Sequence, residues 1–426
     1  MSREVVITAL GTAGACGCGR AGLERALATA APPPATEIDR AGGYRCHRAG
    51  GARRALLTPV AALAPWVPQS EARRMSPPSR LAVAATRMAL ADSGLEPARL
   101  AGPGTVVVVA TAFGASSFSE ALLRQILLDD PEAASPYLFT ESVANAAAAQ
   151  IAIACGARGA NVTLCQREAG ALLAVAAGAA EVAAGRAEQA LVGAVDEISP
   201  LLHAVLDRFG ALARPRRGRP DGSGEVARPL DRRRAGMVAA DGATVLLLES
   251  AAAAERRGKA PLARVRGAGS AFDPSAPPAG WGTGAELLGR ALRRTLARCG
   301  AAGTAPGAPG GPVAIDRVVS GAAGSRTGDL LEGRVLRAAW GAAELPPVLA
   351  PKAVTGEYGG GFLAAAVLAA AGAPGVACAP PAGFGEPDPE LGVSPHDGRP
   401  LPPPELLLAT SLAAGGAAAW LVLGRP

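Results

Sequence analysis

Cysteine and histidine are the residues of this 426-residue chain that could supply a nucleophile and a base. A thiolate attacks acyl carbonyls, and an imidazole moves the proton. The three histidines lie far apart: His47, His203 and His396. The seven cysteines are an odd number and equally scattered: Cys16, Cys18, Cys46, Cys155, Cys165, Cys299 and Cys378. This pattern, with no recognisable secretory signal, predicts reduced thiols in the cytoplasm.

Two classes of site are disfavoured by the composition. Cys16 and Cys18 have no second cysteine pair or histidine cluster to complete a zinc site, so no metal is expected. The net charge is +6, but basic residues concentrate in one Pro/Gly-rich segment, Arg214 to Arg234, without aromatic residues for base stacking. We therefore expect a solvated loop and no nucleic acid, with an acidic protein as a weaker alternative partner for this loop.

Two apolar segments are candidate membrane spans. Val5 to Leu10 is too short and follows charged residues, so it is predicted to be a buried strand. Leu406 to Leu423 is nearly long enough, but polar residues and the Gly415-Gly416 pair interrupt it as a strand-turn-strand would. The sequence predicts a buried hairpin there and no membrane partner.

Strands and helices alternate along most of the chain, which predicts a layered α/β fold. The predicted strands are Val5–Leu10, Thr105–Val109, Asn161–Leu164, Gln189–Val195, Thr244–Leu248, Leu262–Val265 and Arg317–Ser320. The predicted helices are Ser79–Asp92, Phe118–Leu128, Ala169–Ala184, Gly284–Cys299, Asp329–Trp340 and Phe362–Ala371. The composition changes near Ala251, so residues 1–250 and 251–426 are predicted to form two halves of similar plan.

Six short segments occur in one order along nearly the whole chain. They are Arg73-Arg74-Met75-Ser76, Gly159-Ala160-Asn161, Gly193-Ala194-Val195-Asp196-Glu197, Arg228-Pro229-Leu230-Asp231-Arg232, Pro351-Lys352-Ala353-Val354-Thr355-Gly356 and Gly415-Gly416. In residue types, order and spacing they resemble the β-ketoacyl synthase family. The resemblance implies a thiolase-like fold, with two αβαβα halves stacked in five layers.

Active members of that family use a cysteine at a strand-to-helix elbow and two histidines. The thiolate takes the acyl chain, and the histidines hydrogen-bond the enolate formed by decarboxylation. Seven residues after Asn161, the cysteine position is Glu168. The first histidine position is Gly321 and the second is Glu357. Of the site's charged residues only Lys352 is expected to remain, so the chain is predicted not to catalyse condensation by itself and to need no cofactor.

The other candidate groups are predicted to be structural. Cys165 lies three residues before the nucleophile position, on the strand, and is predicted to be a small buried side chain unless the elbow is shifted. Because a lone buried carboxylate is costly, Glu168 and Glu357 are expected to pair with Arg167, Arg326 or Lys352.

The segment Arg167-Glu168-Ala169-Gly170-Ala171-Leu172 resembles the inactive branch of the family, the chain length factors of type II polyketide synthases. That branch has Glu-Gln-Ala-Gly-Gly-Leu there, so Glu168 replaces its glutamine. The resemblance implies a heterodimer with an active β-ketoacyl synthase, which brings the acyl carrier protein. Subunits of aryl-polyene pathways are the closer comparison.

Two other functions stay open at this stage. One is a decarboxylating or acyl-transferring ketosynthase homologue that uses Cys165 or Glu168. The other is a homodimeric acyl-binding scaffold.

The family places a helix beside the tunnel that holds the growing chain. Here that helix carries Ser116, Ser119 and Leu123, at i, i+3 and i+7 on one face. We expect this face to border the partner's tunnel, with the small serines leaving room for a long linear chain. Ordinary interface packing is the alternative.

Overall fold

The structure is a computed structural model that describes residues 3–39, 44, 51–214, 224–300, 314–373, 376 and 383–426. The main strands are β1 Val5–Gly14, β2 Thr105–Ala110, β3 Asn161–Leu164, β4 Gln189–Asp196, β5 Gly242–Ser250, β6 Ala263–Phe272, β7 Arg317–Ser320, β8 Val348–Leu349, β9 Leu406–Leu412 and β10 Ala417–Gly424. Two-residue strands occur at Gly17–Cys18, Thr36–Glu37 and Arg54–Ala55.

The longer helices flank these strands. They are α1 Arg20–Thr29, α2 Pro77–Ser93, α3 Ser116–Leu128, α4 Pro136–Ser142, α5 Ala146–Cys155, α6 Gly170–Ala183, α7 Pro200–Arg208, α8 Ala285–Arg298, α9 Arg326–Trp340 and α10 Gly361–Ala370. Short helices span Val60–Leu63, Gln69–Ala72, Ala251–Arg256 and Lys352–Thr355. Every helix and strand predicted above is present, but β6 continues to Phe272, well beyond the predicted end at Val265. Helices α1, α4, α5 and α7 are additional to the predicted ones.

The strand order of the first half is repeated in the second. Strands β1 to β5 lie in the order β3-β2-β4-β5-β1, and β6 to β10 in the order β8-β7-β9-β10-β6. In the first set β2 is parallel to β3 and β4, whereas β5 is antiparallel to β4 and β1. Strands β7 and β10 repeat this pattern in the second set. The sets join where β1 pairs with β6 at Val5, Val6 and Ile7.

The strands and helices form five layers, because each strand set points side chains to two faces and helices cover both faces. Val5 of β1 and Leu407 of β9 face a shared core that contains α6 and α10. Helices α2 and α5 cover the other face of the first set, and α8 and α9 cover the second. All ten residues of α10 are buried, as expected for a helix that is apolar on every side.

The C-terminal hairpin is confirmed, since β9 and β10 pair in antiparallel register from Leu406 with Gly424 to Leu412 with Ala418. Within the described ranges, no single helix is both long and apolar enough to cross a membrane. One bent pair, α4 and α5 at 94°, meets that test by length and composition alone.

We predict that Gly11→Ala strongly destabilises the fold. A Cβ at Gly11 would overlap the carbonyl oxygen of Ala85 and lie 2.5 Å from the amide nitrogen of Ala89, both in the backbone of α2. The free energy of unfolding, measured by chemical denaturation, should fall by about 3 kcal/mol. Gly104→Ala is the control, because its closest neighbour is the flexible side chain of Glu188 at 3.1 Å. Equal losses in both variants would contradict the proposed packing of β1 on α2.

Candidate active site

A sharp turn between β3 and α6 carries Glu168. The turn is a 3-10 segment in which Arg167 adopts a left-handed φ of 45°, a conformation that residues other than glycine rarely hold. The hairpin turn after β9 holds it from the other side. Ser411 Oγ donates to the Glu168 carbonyl oxygen at 2.7 Å, and the Ala414 amide donates to Glu168 Oε2 at 3.3 Å. The predicted nucleophile position is thus a constrained strand-to-helix elbow that holds a carboxyl group.

A buried ion pair lies at the predicted second histidine position. Lys352 Nζ is 2.9 Å from Oε1 and 2.7 Å from Oε2 of Glu357, and the lysine side chain is fully buried. The ammonium also lies 4.9 Å from the ring centroid of Phe362. Backbone hydrogen bonds fix Glu357, whose amide donates to the carbonyl oxygen of Val238 at 2.8 Å. The pairing expected for Glu357 is confirmed.

The pairing expected for Glu168 is wrong. No cation lies within 4 Å of its carboxylate in the described part of the chain, and Arg167 instead donates to the carbonyl oxygen of Ala414 at 3.3 Å. Burial, and then the charge of Glu357, raise the pKa of Glu168 above its ordinary value, although Lys352 and Arg167 act in the opposite direction. Lys352 already pairs with Glu357 and does not neutralise Glu168. Protonation of the Glu168 carboxylate therefore costs less free energy than recruiting a cation to it.

Gly321, at the first histidine position, has no room for a side chain. Its amide donates to the carbonyl oxygen of Thr410 at 2.7 Å. A Cβ there would lie 2.8 Å from Ser411 Oγ and 2.9 Å from the carbonyl oxygen of Thr410, closer than such contacts normally come. The turn after β7 has no histidine, and with this backbone conformation it also has no space for an imidazole side chain.

Two buried carboxyl groups that the sequence analysis missed hold this turn. Glu332 Oε1 accepts hydrogen bonds from Ser320 Oγ at 2.7 Å and from the Gly321 amide at 3.2 Å. Asp329 Oδ1 accepts from the amides of Ala323 and Gly324, both at 3.2 Å. Burial raises the pKa of Glu332 to about 8 and that of Asp329 to about 6. Asp329 and Glu332 are three residues apart, which is about one helical turn, and they follow a Gly-rich segment. This spacing was the signal that the sequence offered.

A cavity of about 610 Å³ opens over the elbow. Its charged lining residues are Arg167, Glu168, Asp196, Glu197, Arg326 and Glu357. Its bulky apolar lining residues include Phe113, Val205, Phe209, Met237 and Trp281. No cysteine or histidine of the described chain lines it. The cavity therefore offers space and charge but no described thiol or imidazole.

The predicted tunnel residues lie outside this cavity, on α3. Ser116 Oγ donates to Glu197 Oε1 at 2.8 Å, which fixes the first turn of the helix. Ser119 Oγ donates to the carbonyl oxygen of Ala115 at 2.9 Å, and the Leu123 side chain is 53% exposed. The serines are half-buried, and none of the three residues lines the cavity.

The environment predicted for Cys165 is wrong. The residue is exposed, because it follows the end of β3, which is an edge strand of its sheet.

His203 is buried, with Nε2 3.2 Å from the carbonyl oxygen of Arg54, and His396 Nε2 lies 2.7 Å from the carbonyl oxygen of Arg399. His47, Cys46 and Cys378 lie outside the described residues.

The solvated loop predicted from Arg214 to Arg234 is wrong for its last part, and residues 215–223 lie outside the described range. Asp231 is buried and accepts hydrogen bonds from the amides of Gly385 at 2.7 Å and Glu386 at 2.9 Å. Although burial opposes the effect, these bonds and Arg233 lower the pKa of Asp231. Arg234 is also buried and pairs with Asp388 at 2.5 Å. The end of the segment therefore anchors the chain from Gly385 to Asp388, which follows α10.

Known proteins show which family has this architecture. The family described as Beta-ketoacyl synthase, N-terminal domain, matches residues 3–254. An actinorhodin polyketide β-ketoacyl synthase 2 of Streptomyces coelicolor is 33% identical over 67% of this chain and 66% of its own length. The ketoacyl synthase beta subunit of the tetracenomycin polyketide synthase from Streptomyces glaucescens is 30% identical over 73% and 72%.

A solved structure confirms the fold expected from the sequence. The ishigamide ketosynthase/chain length factor superposes over 100% of both chains with a TM-score of 0.84 and 26% identity. The five-layer arrangement of the strands and helices described above is therefore the thiolase-like fold of ketosynthases. Together with the match over residues 3–254, this shows that the chain belongs to the β-ketoacyl synthase family.

Proposed function

We propose that this chain is a non-catalytic, chain length factor-like subunit that pairs with an active β-ketoacyl synthase in a type II polyketide pathway. One observation carries the proposal. The sequence resemblance assigns Glu168, Gly321 and Glu357 to the three positions where active members of the family have a cysteine and two histidines. A carboxylate forms an anhydride and not a stable thioester with an acyl group, and neither glycine nor glutamate replaces the imidazole hydrogen bonds.

The remaining charges support a structural role for the altered site. Lys352 and Glu357 neutralise each other, and Glu168 is held by backbone groups of the elbow and the hairpin turn. These contacts stabilise the loops that surround the cavity, and this structural role does not require a nucleophile. The competing proposal is a decarboxylating or acyl-transferring enzyme, which the raised pKa of Glu168 beside an open cavity favours, since such a group can donate a proton.

The open edge of the first strand set supports a partner subunit. Strand β3 pairs only with β2 among the described strands, and no described strand pairs with its other edge. The same half of the chain has exposed apolar side chains on β3 and on helices α3, α4 and α5, and we call them the apolar band: Leu123, Leu127, Phe139, Ile153 and Val162. Such a surface is typical of a protein interface. The second set differs, because the amide of His396 donates to Val348 of its edge strand β8 at 2.8 Å.

We also propose how this subunit takes part in synthesis. One relative is described as a beta subunit, which implies a second subunit beside it. Here that partner would be the active ketosynthase, and it would also be the main contact of the acyl carrier protein. Residues 1–250 and 251–426 are the proposed halves, and the repeated strand order supports this division. An aryl-polyene-like pathway and a cytoplasmic location complete the proposal.

Helix α3 is proposed to shape the partner's tunnel. Leu123 belongs to the apolar band, and Ser119 and Ser116 lie one and two turns before it on the same helix. The two serine hydroxyls are already bound to Glu197 and to the carbonyl oxygen of Ala115, so they offer little polar contact to an acyl chain. Small side chains at this position would leave space at the end of the tunnel.

Co-expression with an active β-ketoacyl synthase tests the proposed function. We expect a one-to-one complex by native mass measurement, and malonyl condensation only when both subunits are present. Cys165→Ala and Glu168→Gln in this chain should leave the rate unchanged, because neither group reacts. Condensation or decarboxylation by this chain alone would contradict the proposal and favour the enzyme alternative. A stable homodimer that does not bind the ketosynthase would favour an acyl-binding scaffold.

We predict that Lys352→Met destabilises the subunit by about 3 to 5 kcal/mol, because it leaves the carboxylate of Glu357 buried without its partner. The double variant Lys352→Met/Glu357→Leu should recover most of this loss, because both charges are removed. Chemical denaturation of the complex at fixed protein concentration measures both effects. A double variant that is no more stable than Lys352→Met would contradict a purely structural pair.

We predict that Ser119→Phe shortens the product made by the complex, because a phenyl ring would occupy the space proposed at the tunnel end. Mass spectrometry of the products gives the chain length. Ser394→Phe is the control, since Ser394 is exposed in the second half of the chain. Unchanged product length with an intact complex would mean that α3 provides only interface packing.

A further inference from the structure

The outer face of α8 and α9 is strongly basic. Besides Arg326 at the start of α9, these two helices carry six arginines, which we call the arginine face: Arg290, Arg293, Arg294, Arg298, Arg334 and Arg337. All are exposed except Arg337, which is half-buried. Both helices bury their apolar side against β6 to β10, so the arginines occupy the outermost of the five layers. The packing of the core does not require this charge.

The chain supplies almost no counter-charge for the arginine face. Within the described ranges, none of the six arginines lies within 4 Å of a carboxylate. The acidic residues of α9 are Asp329 and Glu332, which are buried, and Glu286 is the exposed acid of α8. The sequence outside the described ranges contains one acidic residue, Asp221. The six positive charges are therefore available to another molecule.

A groove runs between the two helices at this face. It has a volume of about 790 Å³ and its charged lining residues are Arg290, Arg334 and Arg337 together with one acid, Glu286. Leu287 and Ala338 provide apolar lining, and the Leu287 side chain is 38% exposed. Charges at the sides and an apolar contact between them form a pattern that an amphipathic surface can match.

We propose that the arginine face is a docking site for an acidic amphipathic helix of another protein. A third helix can lie in the groove between two packed helices, about 8 to 10 Å from their axes. Carboxylates spaced one turn apart on that helix would bind the guanidinium groups, and an apolar residue between them would contact Leu287. This surface lies on the second strand set, away from β3, so the proposal goes beyond the pairing with a ketosynthase and does not depend on it.

The chemistry of the groove favours a protein over two other polyanions. Single-stranded nucleic acid binds through aromatic side chains that stack on its bases, and no aromatic residue lines the described groove. A peripheral membrane contact inserts several bulky apolar side chains, whereas this groove offers one, Leu287. A helix needs only the single apolar contact together with the arginines.

Binding of a designed peptide tests the proposal. The probe is a fluorescein-labelled helical peptide of about five turns, with glutamates one turn apart beside a leucine row, and its control has glutamine at each glutamate. The binding variant is Arg290→Glu/Arg334→Glu in the full chain. The matched control is Arg25→Glu/Arg256→Glu, which changes the net charge equally at two exposed arginines of other helices. Fluorescence anisotropy gives the dissociation constants.

The binding variant should bind the acidic peptide with a dissociation constant about tenfold or more above that of the unaltered chain. For the control variant the increase should be less than about twofold. Raising the salt from about 50 to about 300 mM should weaken binding to the unaltered chain. If the charge reversal prevents folding, Arg290→Gln/Arg334→Gln should show the same order of effects. Equal weakening in both reversals, or equal binding of the glutamine peptide, would overturn the proposal. Tighter, arginine-dependent binding of a single-stranded oligonucleotide or of phosphatidylserine vesicles would overturn it in favour of that ligand.

Discussion

Two strand sets share one central layer of helices, and the positions of the other elements follow from that constraint. Helices α6 and α10 are apolar and rich in alanine because each contacts a sheet on both sides. The start of α6 places Glu168 at the level of the hairpin turn between β9 and β10, so residues from both halves meet at the cavity. Residues far apart in sequence, such as Glu168 and Ser411, are thereby brought within 2.7 Å.

The same constraint makes the charges of the site expensive, and the structure reduces that cost in several ways. Lys352 and Glu357 pair with each other. Glu332 and Asp329 are buried with raised pKa values and accept hydrogen bonds from backbone amides of the turn after β7. Glu168 holds its proton more tightly than an exposed glutamate does. These buried carboxyl groups and the lysine form a polar network that stabilises the loops of the site.

Local patterns in the sequence were enough to predict the main strands, the C-terminal hairpin and a basic partner for Glu357, although Lys352 was one of three candidates for that partner. They failed where distant contacts decide the environment. Cys165 is exposed because β3 is an edge strand, and sheet order cannot be read from one strand. Asp231 and Arg234 looked like part of a solvated loop, yet both are buried by contacts with residues about 150 positions later. Glu332 was missed because its partners belong to a turn that contains no charge.

The repeated strand order makes the difference between the two sheet edges informative. An exposed edge strand can pair with another chain, and two open edges per molecule would allow pairing to continue into long assemblies. Here the segment around His396 contacts β8, whereas no described strand pairs with the outer edge of β3, whose Val162 is exposed. One open edge permits pairing with a single partner and then stops. A chain that has one covered edge and one apolar edge is suited to a closed dimer, in which the partner subunit can supply the groups for condensation that this cavity lacks.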